Sequence, residues 1–254
     1  MPHMHRGARI HVTGATGYLG AELLRRAPGA SRERVEIRDA AAASELFRRL
    51  RPEVVIHTAY RQGGEGAWEV TVDGAENVAR AAREVGARLA HLSTDVVFDG
   101  RKGSPYVEND AVCPVTEYGR AKAEAEARVQ AACPGALIVR TSLIVGGPGF
   151  APSKHEQVAL DPAMTFYEDE IRCPIQVGDL ATALLELAGL DVAGVLHVAG
   201  SDAVSRADLA ELVARRSVRR ARAPVDRPLD CSLDSSRAAA LLRSELRGIR
   251  TVLA

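Results

Sequence analysis

No stretch of this 254-residue chain stays apolar for the roughly 18 residues that a membrane-crossing helix needs. Residues 1–10 lack the apolar core of a secretory leader. Charge of neither sign dominates: 33 basic residues face 33 acidic ones. That balance argues against a general binder of nucleic acid or of anionic membranes. Cysteine is sparse and scattered, at Cys113, Cys133, Cys173 and Cys231, with no CxxC pair. Four reduced thiols in a cytoplasmic protein are expected, rather than disulfides or a zinc site. There is no internal repeat. Lysine is scarcer still: only Lys102, Lys122 and Lys154 occur, so thirty of the 33 basic residues are arginine.

What is present is the composition of an ordinary globular protein, 46% hydrophobic and 26% charged. The length suits one full core, or one domain with a small lobe. Short apolar runs alternate with longer segments of helical period. Ala8–Thr13, Val35–Arg38, Val54–Thr58, Arg88–Leu92, Leu137–Arg140 and Val195–Val198 read as strands. Tyr18–Ala27, Ala41–Leu50, Ala67–Val85, Thr116–Ala132, Gly178–Leu187 and Ser205–Ala214 read as helices, the last with a capping box from Ser205 and Asp208. Residues 151–171 read as irregular or partly helical. The basic tract Arg215–Arg222 reads as a solvated helix end or loop as readily as a ligand site. The repeated βα alternation predicts an α/β fold: a Rossmann-like, doubly wound parallel sheet with helices on both faces. Residues 1–149 and 176–199 are assigned to that dinucleotide-binding domain. Residues 150–175 and 200–254 are assigned to a small C-terminal substrate-binding lobe.

Two constellations carry chemistry. The first is Thr13-Gly14-Ala15-Thr16-Gly17-Tyr18-Leu19-Gly20, which leaves a strand and opens a helix. Glycines at this spacing permit a tight turn, a close approach of backbone amides to a pyrophosphate, and close helix–strand packing. The helix N-terminus adds unpaired N–H donors. The second begins with Ser93-Thr94-Asp95 at the end of a strand, where an open α/β sheet presents its ligand crevice. It continues with Tyr118 and Lys122, four residues apart and so on one helix face. An ammonium close to a phenol stabilises the phenolate, which makes the phenol a usable acid toward a ketone. Thr94, Tyr118 and Lys122 thus supply a carbonyl polariser, a proton donor and the group that tunes the donor.

The segments TGATGYLG (13–20), STDVVFDG (93–100), PYVEND (105–110), PVTEYGRAKAEAE (114–126), VRTSLIVG (139–146) and RPLDCSLDSS (227–236) follow one another along nearly the whole chain. In them the sequence resembles the extended short-chain dehydrogenase/reductases, and within these the dTDP-4-dehydrorhamnose reductase-like proteins. The resemblance implies a catalytic triad of Thr94, Tyr118 and Lys122. It implies NADP(H) or NAD(H) held by Gly14, Thr16, Gly17, Tyr18, Leu19, Arg32, Asp39, Ala59, Tyr60 and Lys122. It implies a nucleotide-sugar or other ketone substrate near Asp95, Val96, Lys154, His155, Arg172 and Arg227, and a homodimer.

Against the family pattern, the region between the glycine turn and Asp39 is short, so the second strand is expected to be trimmed or absent. Arg32 and Arg34 suit a 2′-phosphate or are surface arginines; Glu36 is a loosely placed alternative for a ribose. His57 stands ahead of the alanine usual after that strand and is expected to be packed inward. Asp73 replaces a common asparagine, with Asn77 one turn later. Ser153 and Glu156 form either a helix capping box or part of a substrate loop. Two other functional readings stay open: reduction of a non-sugar ketone, and a non-catalytic cofactor-binding regulatory subunit.

Overall fold

In the computed structural model, residues 8–254 are described. The first part of the chain runs β1 (Ile10–Thr13), α1 (Tyr18–Arg26), α2 (Ala40–Leu50), β2 (Val54–His57), α3 (Gly74–Glu84), β3 (Arg88–Thr94), α4 (Glu117–Ala132) and β4 (Leu137–Thr141). The remainder runs β5 (Ile144–Val145), α5 (Lys154–Leu160), β6 (Thr165–Tyr167), β7 (Ile171–Arg172), β8 (Ile175–Gln176), α6 (Val177–Ala188), β9 (Gly194–His197), β10 (Val204–Ser205), α7 (Arg206–Ala214), β11 (Arg219–Ala221), α8 (Ser236–Leu241) and α9 (Ile249–Val252).

The central sheet has five strands in the order β1-β2-β3-β4-β9, and the β1–β2 and β2–β3 pairs are parallel. On the free side of β1, Ser31 is what pairs among the described residues, through a parallel bridge to His11. The Rossmann-like α/β architecture read from the sequence is therefore present, and the second strand has shrunk to one residue. β1 carries neighbours on both sides, and its C-terminal end opens into the glycine turn, the place where such sheets receive ligands.

Two compact units divide the chain. One comprises residues 8–93, Arg120–Val139 and Ala181–Leu196; the other comprises Thr94–Gly119, Arg140–Leu180 and His197–Ala254. In the first unit Phe47, Val55, Ala75, Val78, Ala82, Leu89, Val129 and Ile138 form one buried cluster. The alanines on α3 let helices approach the sheet closely, and a fully buried Phe or Leu contributes about 1.5–3 kcal/mol. The second unit has smaller cores: Val145, Val204, Leu209, Ile249 and Val252 form one, and Ala159, Phe166, Ala207 and Ala210 another.

Two sequence readings need correction. Val35–Arg38 is not a strand but an irregular segment ending in a turn. Ile37 is buried and packs against Gly74, and Asn77 Nδ2 holds the carbonyls of Ile37 and Arg38 at 3.0 and 3.2 Å. Tertiary anchoring of one apolar side chain thus imitates strand alternation. The helix expected over Ala67–Val85 is not uniform: a π-helical turn at Glu69–Asp73 runs into α3. Residues 151–171 contain α5, and Ser153 with Glu156 does form a reciprocal capping box. The basic tract holds β11, and Arg220 within it is paired with Asp208 and Glu211.

Candidate active site

The glycine turn is built as phosphate cradles are. Gly14 has φ +70, and a Cβ there would come within 2.7 Å of Ala59 N and 2.8 Å of Thr58 Oγ1. A side chain at Gly20 would collide with the Gly14 carbonyl. The turn therefore closes only with glycine, and it brings Gly14 against Thr58 and Ala59 at the end of β2. Gly17 is the N-cap of α1, no side chain caps the helix, and no acidic residue occupies its first turn. A helix end built this way suits an anion. Thr16, Gly17 and Tyr18 are exposed at this end, whereas the Leu19 side chain is in the core and only its backbone faces the turn's chemistry. These features fit a dinucleotide pyrophosphate.

The adenosine side is thinner. Arg32 and Arg34 are exposed. Glu36 is tied to Arg38, whose hydrogen bonds hold its carboxyl down to about 2. Asp39 caps α2 by accepting from Ala42 N at 3.0 Å. Asp73 pairs with Arg128 at 2.9 Å.

Lys122 is 3% exposed. A lysine is rarely buried so completely without a role. Its Nζ donates to the Leu92 carbonyl at 2.6 Å and lies 3.4 Å from His91 Nε2. Tyr60 places its ring 5.9 Å from the same ammonium. Among the described residues no carboxylate hydrogen-bonds Lys122. Glu126, one turn further along α4, acts at longer range and itself accepts from Ser93 Oγ at 2.5 Å. Burial brings the Lys122 pKa down from 10.5 to about 8, with Glu126 opposing.

Behind Lys122 stands a file of neutral imidazoles. The parallel register sets Thr13 beside His57 and His57 beside His91. The two rings stack with centroids 5.1 Å apart, and Thr13 Oγ1 lies 2.6 Å from His57 Nδ1. His57 is buried, as its position in an apolar strand implied, and burial holds its pKa at about 3. His91 is likewise pushed well below the ordinary histidine range, first by burial and then by Lys122. His57 Nε2 and His91 Nδ1 have no hydrogen-bond partner among the described residues.

Tyr118 occupies α4 one turn before Lys122 and is part-buried. Thr116 opens the helix by accepting from Gly119 N at 3.0 Å. Gly119 allows the first turn of α4 to close on the Val96 carbonyl, where any Cβ would collide. This contact draws the Tyr118 turn against the segment that follows Thr94. Thr94 ends β3, is buried, and donates from Oγ1 to Asp95 Oδ1 at 3.2 Å. Asp95 also accepts from Ser142 Oγ at 2.6 Å and lies 3.7 Å from Arg172 Nε. Burial raises the Asp95 carboxyl above its usual range, against the pull of Arg172, Ser142 and Thr94.

Of the other substrate-side candidates, Arg172 is buried and spends its guanidinium on the carbonyls of Ile171 and Pro228 at 2.7 and 3.0 Å, and on that of Leu229. Arg227 is ion-paired with the buried Glu170 and faces the Tyr167 ring at 5.2 Å. Lys154 is exposed and His155 part-buried on α5. Sequence reasoning missed Ser142, whose hydroxyl links Asp95 to the Cys173 amide at 3.1 Å, and it missed Arg206, which lies 3.4 Å from His155. An arginine at the first position of a helix, where acidic residues are favoured, was the available signal for the latter.

A glycine cradle at the first strand of a parallel sheet, with a Tyr-x-x-x-Lys helix beyond it, defines an extended short-chain dehydrogenase/reductase of the dTDP-4-dehydrorhamnose reductase-like kind. The chain belongs to the RmlD substrate binding domain family, which matches it over residues 8–253. It is 37% identical over 223 residues to the dTDP-4-dehydrorhamnose reductase of Mycobacterium tuberculosis, covering 79% of this chain and 73% of that one. A reductase of the same description from Mycolicibacterium smegmatis is 34% identical over 221 residues, covering 80% and 67%. A solved structure described as a hypothetical dTDP-4-dehydrorhamnose reductase from Sulfolobus tokodaii superposes with a TM-score of 0.81 at 28% identity, covering 95% and 97%. The Bacillus anthracis reductase, solved in complex with NADP, has a TM-score of 0.85 at 23% identity over 97% of each chain, a likeness of fold.

Proposed function

We propose that the protein reduces the 4-keto group of a nucleotide-activated sugar, with NADPH or NADH as the hydride source. The observation that carries this reading is Lys122: an ammonium buried without an ion pair among the described residues, one helical turn from Tyr118. Burying that charge costs stability. The Gly14–Gly20 cradle would hold the pyrophosphate of a reduced nicotinamide dinucleotide, which would supply hydride to the ketone carbon. Thr94 Oγ1 turns its one O–H from Asp95 to the ketone oxygen, and Tyr118 gives that oxygen its proton. Lys122 stabilises the phenolate left behind. Residues 150–175 and 200–254 form the substrate lobe, whose Lys154 and His155 face the polar part of the substrate, while Asp95 and Val96, at the end of β3, border the ketone.

The test is Tyr118→Phe. With NADPH and a dTDP-4-keto-6-deoxy sugar, kcat is expected to fall by about 10²–10⁴-fold, the usual contribution of a positioned acid. Cofactor affinity, read by quenching of Trp68, is expected to hold. A Tyr118→Phe enzyme that turns over at the parent rate overturns the assignment.

A further inference from the structure

We infer that Arg206, with His155 beside it, forms an anion-binding site that takes a phosphoryl group of the substrate's nucleoside diphosphate. The inference rests on the function proposed above and adds to it a residue that holds the substrate's charge. Three arginines gather here, with Arg172 and Arg227 each within electrostatic reach of Arg206. They share at most two negative charges, because Asp95 faces Arg172 and Glu170 is paired with Arg227. Arg172 and Arg227 are therefore committed. Arg206 has no ion-pair partner among the described residues, and its only side-chain hydrogen bond runs from Nη1 to His155 Nδ1 at 3.4 Å.

That single bond fixes the chemistry of its neighbour. A guanidinium donates only, so His155 Nδ1 accepts and the neutral ring carries its proton on Nε2. Burial, reinforced by Arg206, holds His155 at about 4, so the ring is neutral at physiological pH. The pair thus presents a fixed charge, spare guanidinium N–H donors and one imidazole N–H donor. Both residues are only part-buried, so a ligand has access. Burial and Arg172 also disfavour the Arg206 cation as it stands, and an incoming anion relieves that. A tetrahedral, multiply charged phosphoryl group suits this donor set better than any neutral sugar hydroxyl. The position is apt as well. Asp95, within the same electrostatic reach, is hydrogen-bonded by Thr94, the candidate carbonyl polariser.

The experiment is calorimetric titration of the full chain with dTDP, thymidine and inorganic pyrophosphate, for the parent, Arg206→Met and Arg206→Lys. Expected for Arg206→Met is a loss of dTDP and pyrophosphate affinity of about tenfold or more, with thymidine affinity unchanged. Arg206→Lys is expected to recover part of the loss, since it keeps the charge and loses the fork, and this guards against a merely misfolded variant. Equal dTDP affinity in all three proteins, or no binding of dTDP and pyrophosphate by the parent, overturns the inference. Reductase activity that depends on Tyr118 stands or falls separately, so failure here leaves the proposed function distinguishable.

Discussion

The protein buries charge in two different ways. In the unit that holds Lys122, one ammonium sits among neutral partners: a carbonyl, an imidazole and an aromatic ring. In the unit that holds Asp95, Arg172 faces Asp95, Arg227 is paired with Glu170, and backbone carbonyls absorb the remaining Arg172 donors. The first arrangement makes a proton easy to lose, and the Lys122 pKa falls to about 8. The second uses arginine, which keeps its proton at any ordinary pH, and so fixes geometry rather than a titration. A proton-transfer site needs the former, and a substrate frame needs the latter.

The sharpest way to break this contrast is to titrate Lys122. The ammonium form is the active one, so the reduction rate is expected to decline as pH rises through about 8. Stability moves the other way. The folded-state pKa lies below the ordinary 10.5, so between about 8 and 10.5 the unfolded chain binds more protons, and stability rises with pH across that window. Lys122→Met is expected to cost about 10²–10⁴-fold in kcat and to abolish the alkaline decline. A parent profile that stays flat to about pH 9.5 contradicts a lysine buried in this way.

In the matched region the effect is on folding. Arg172→Met leaves Asp95 buried without its cation and removes donors from three carbonyls. Breaking one partner of a buried pair costs about 3–5 kcal/mol, to be read from urea unfolding. The double variant Arg172→Met with Asp95→Asn is expected to recover part of that loss, because no charge is then stranded. A single-variant cost under about 1 kcal/mol means the 3.7 Å pair is not structural.

These regions differ in how far the sequence disclosed them. The glycine cradle, β3 and α4 were legible because their signals are local: turn glycines, a strand-length apolar run, and a Tyr–Lys pair at helical spacing. The fate of Val35–Arg38 was not, since Ile37 reaches the core from a turn and alternation alone does not distinguish that from a strand. The π turn before α3 has no local signature either. Arg206 read as one more helix residue, because its lack of a carboxylate depends on where Asp95 and Glu170 finish, 111 and 36 residues earlier in the chain. The stacked histidines required the register of β1, β2 and β3, which pairs residues 44 and 34 positions apart. Composition and period report what a segment prefers; partnership across the sheet is settled only by the fold.

That register leads to the smallest effect and the finest test of the contrast. His91 Nε2, as acceptor from Lys122, requires the His91 proton on Nδ1, and Nδ1 has no partner among the described residues. His91→Phe keeps an aromatic ring stacked on His57. It removes one acceptor from the ammonium and, at the same time, one unpartnered polar atom from the core. The two changes oppose each other in stability, so the net change is expected to stay within about 1 kcal/mol. The ammonium, however, loses support that the neutral amine does not need, and its pKa must fall. The alkaline decline in rate is therefore expected to begin at lower pH in His91→Phe, with KM little altered. An unmoved decline means that the 3.4 Å contact carries no energy and that the Leu92 carbonyl alone holds Lys122 in place.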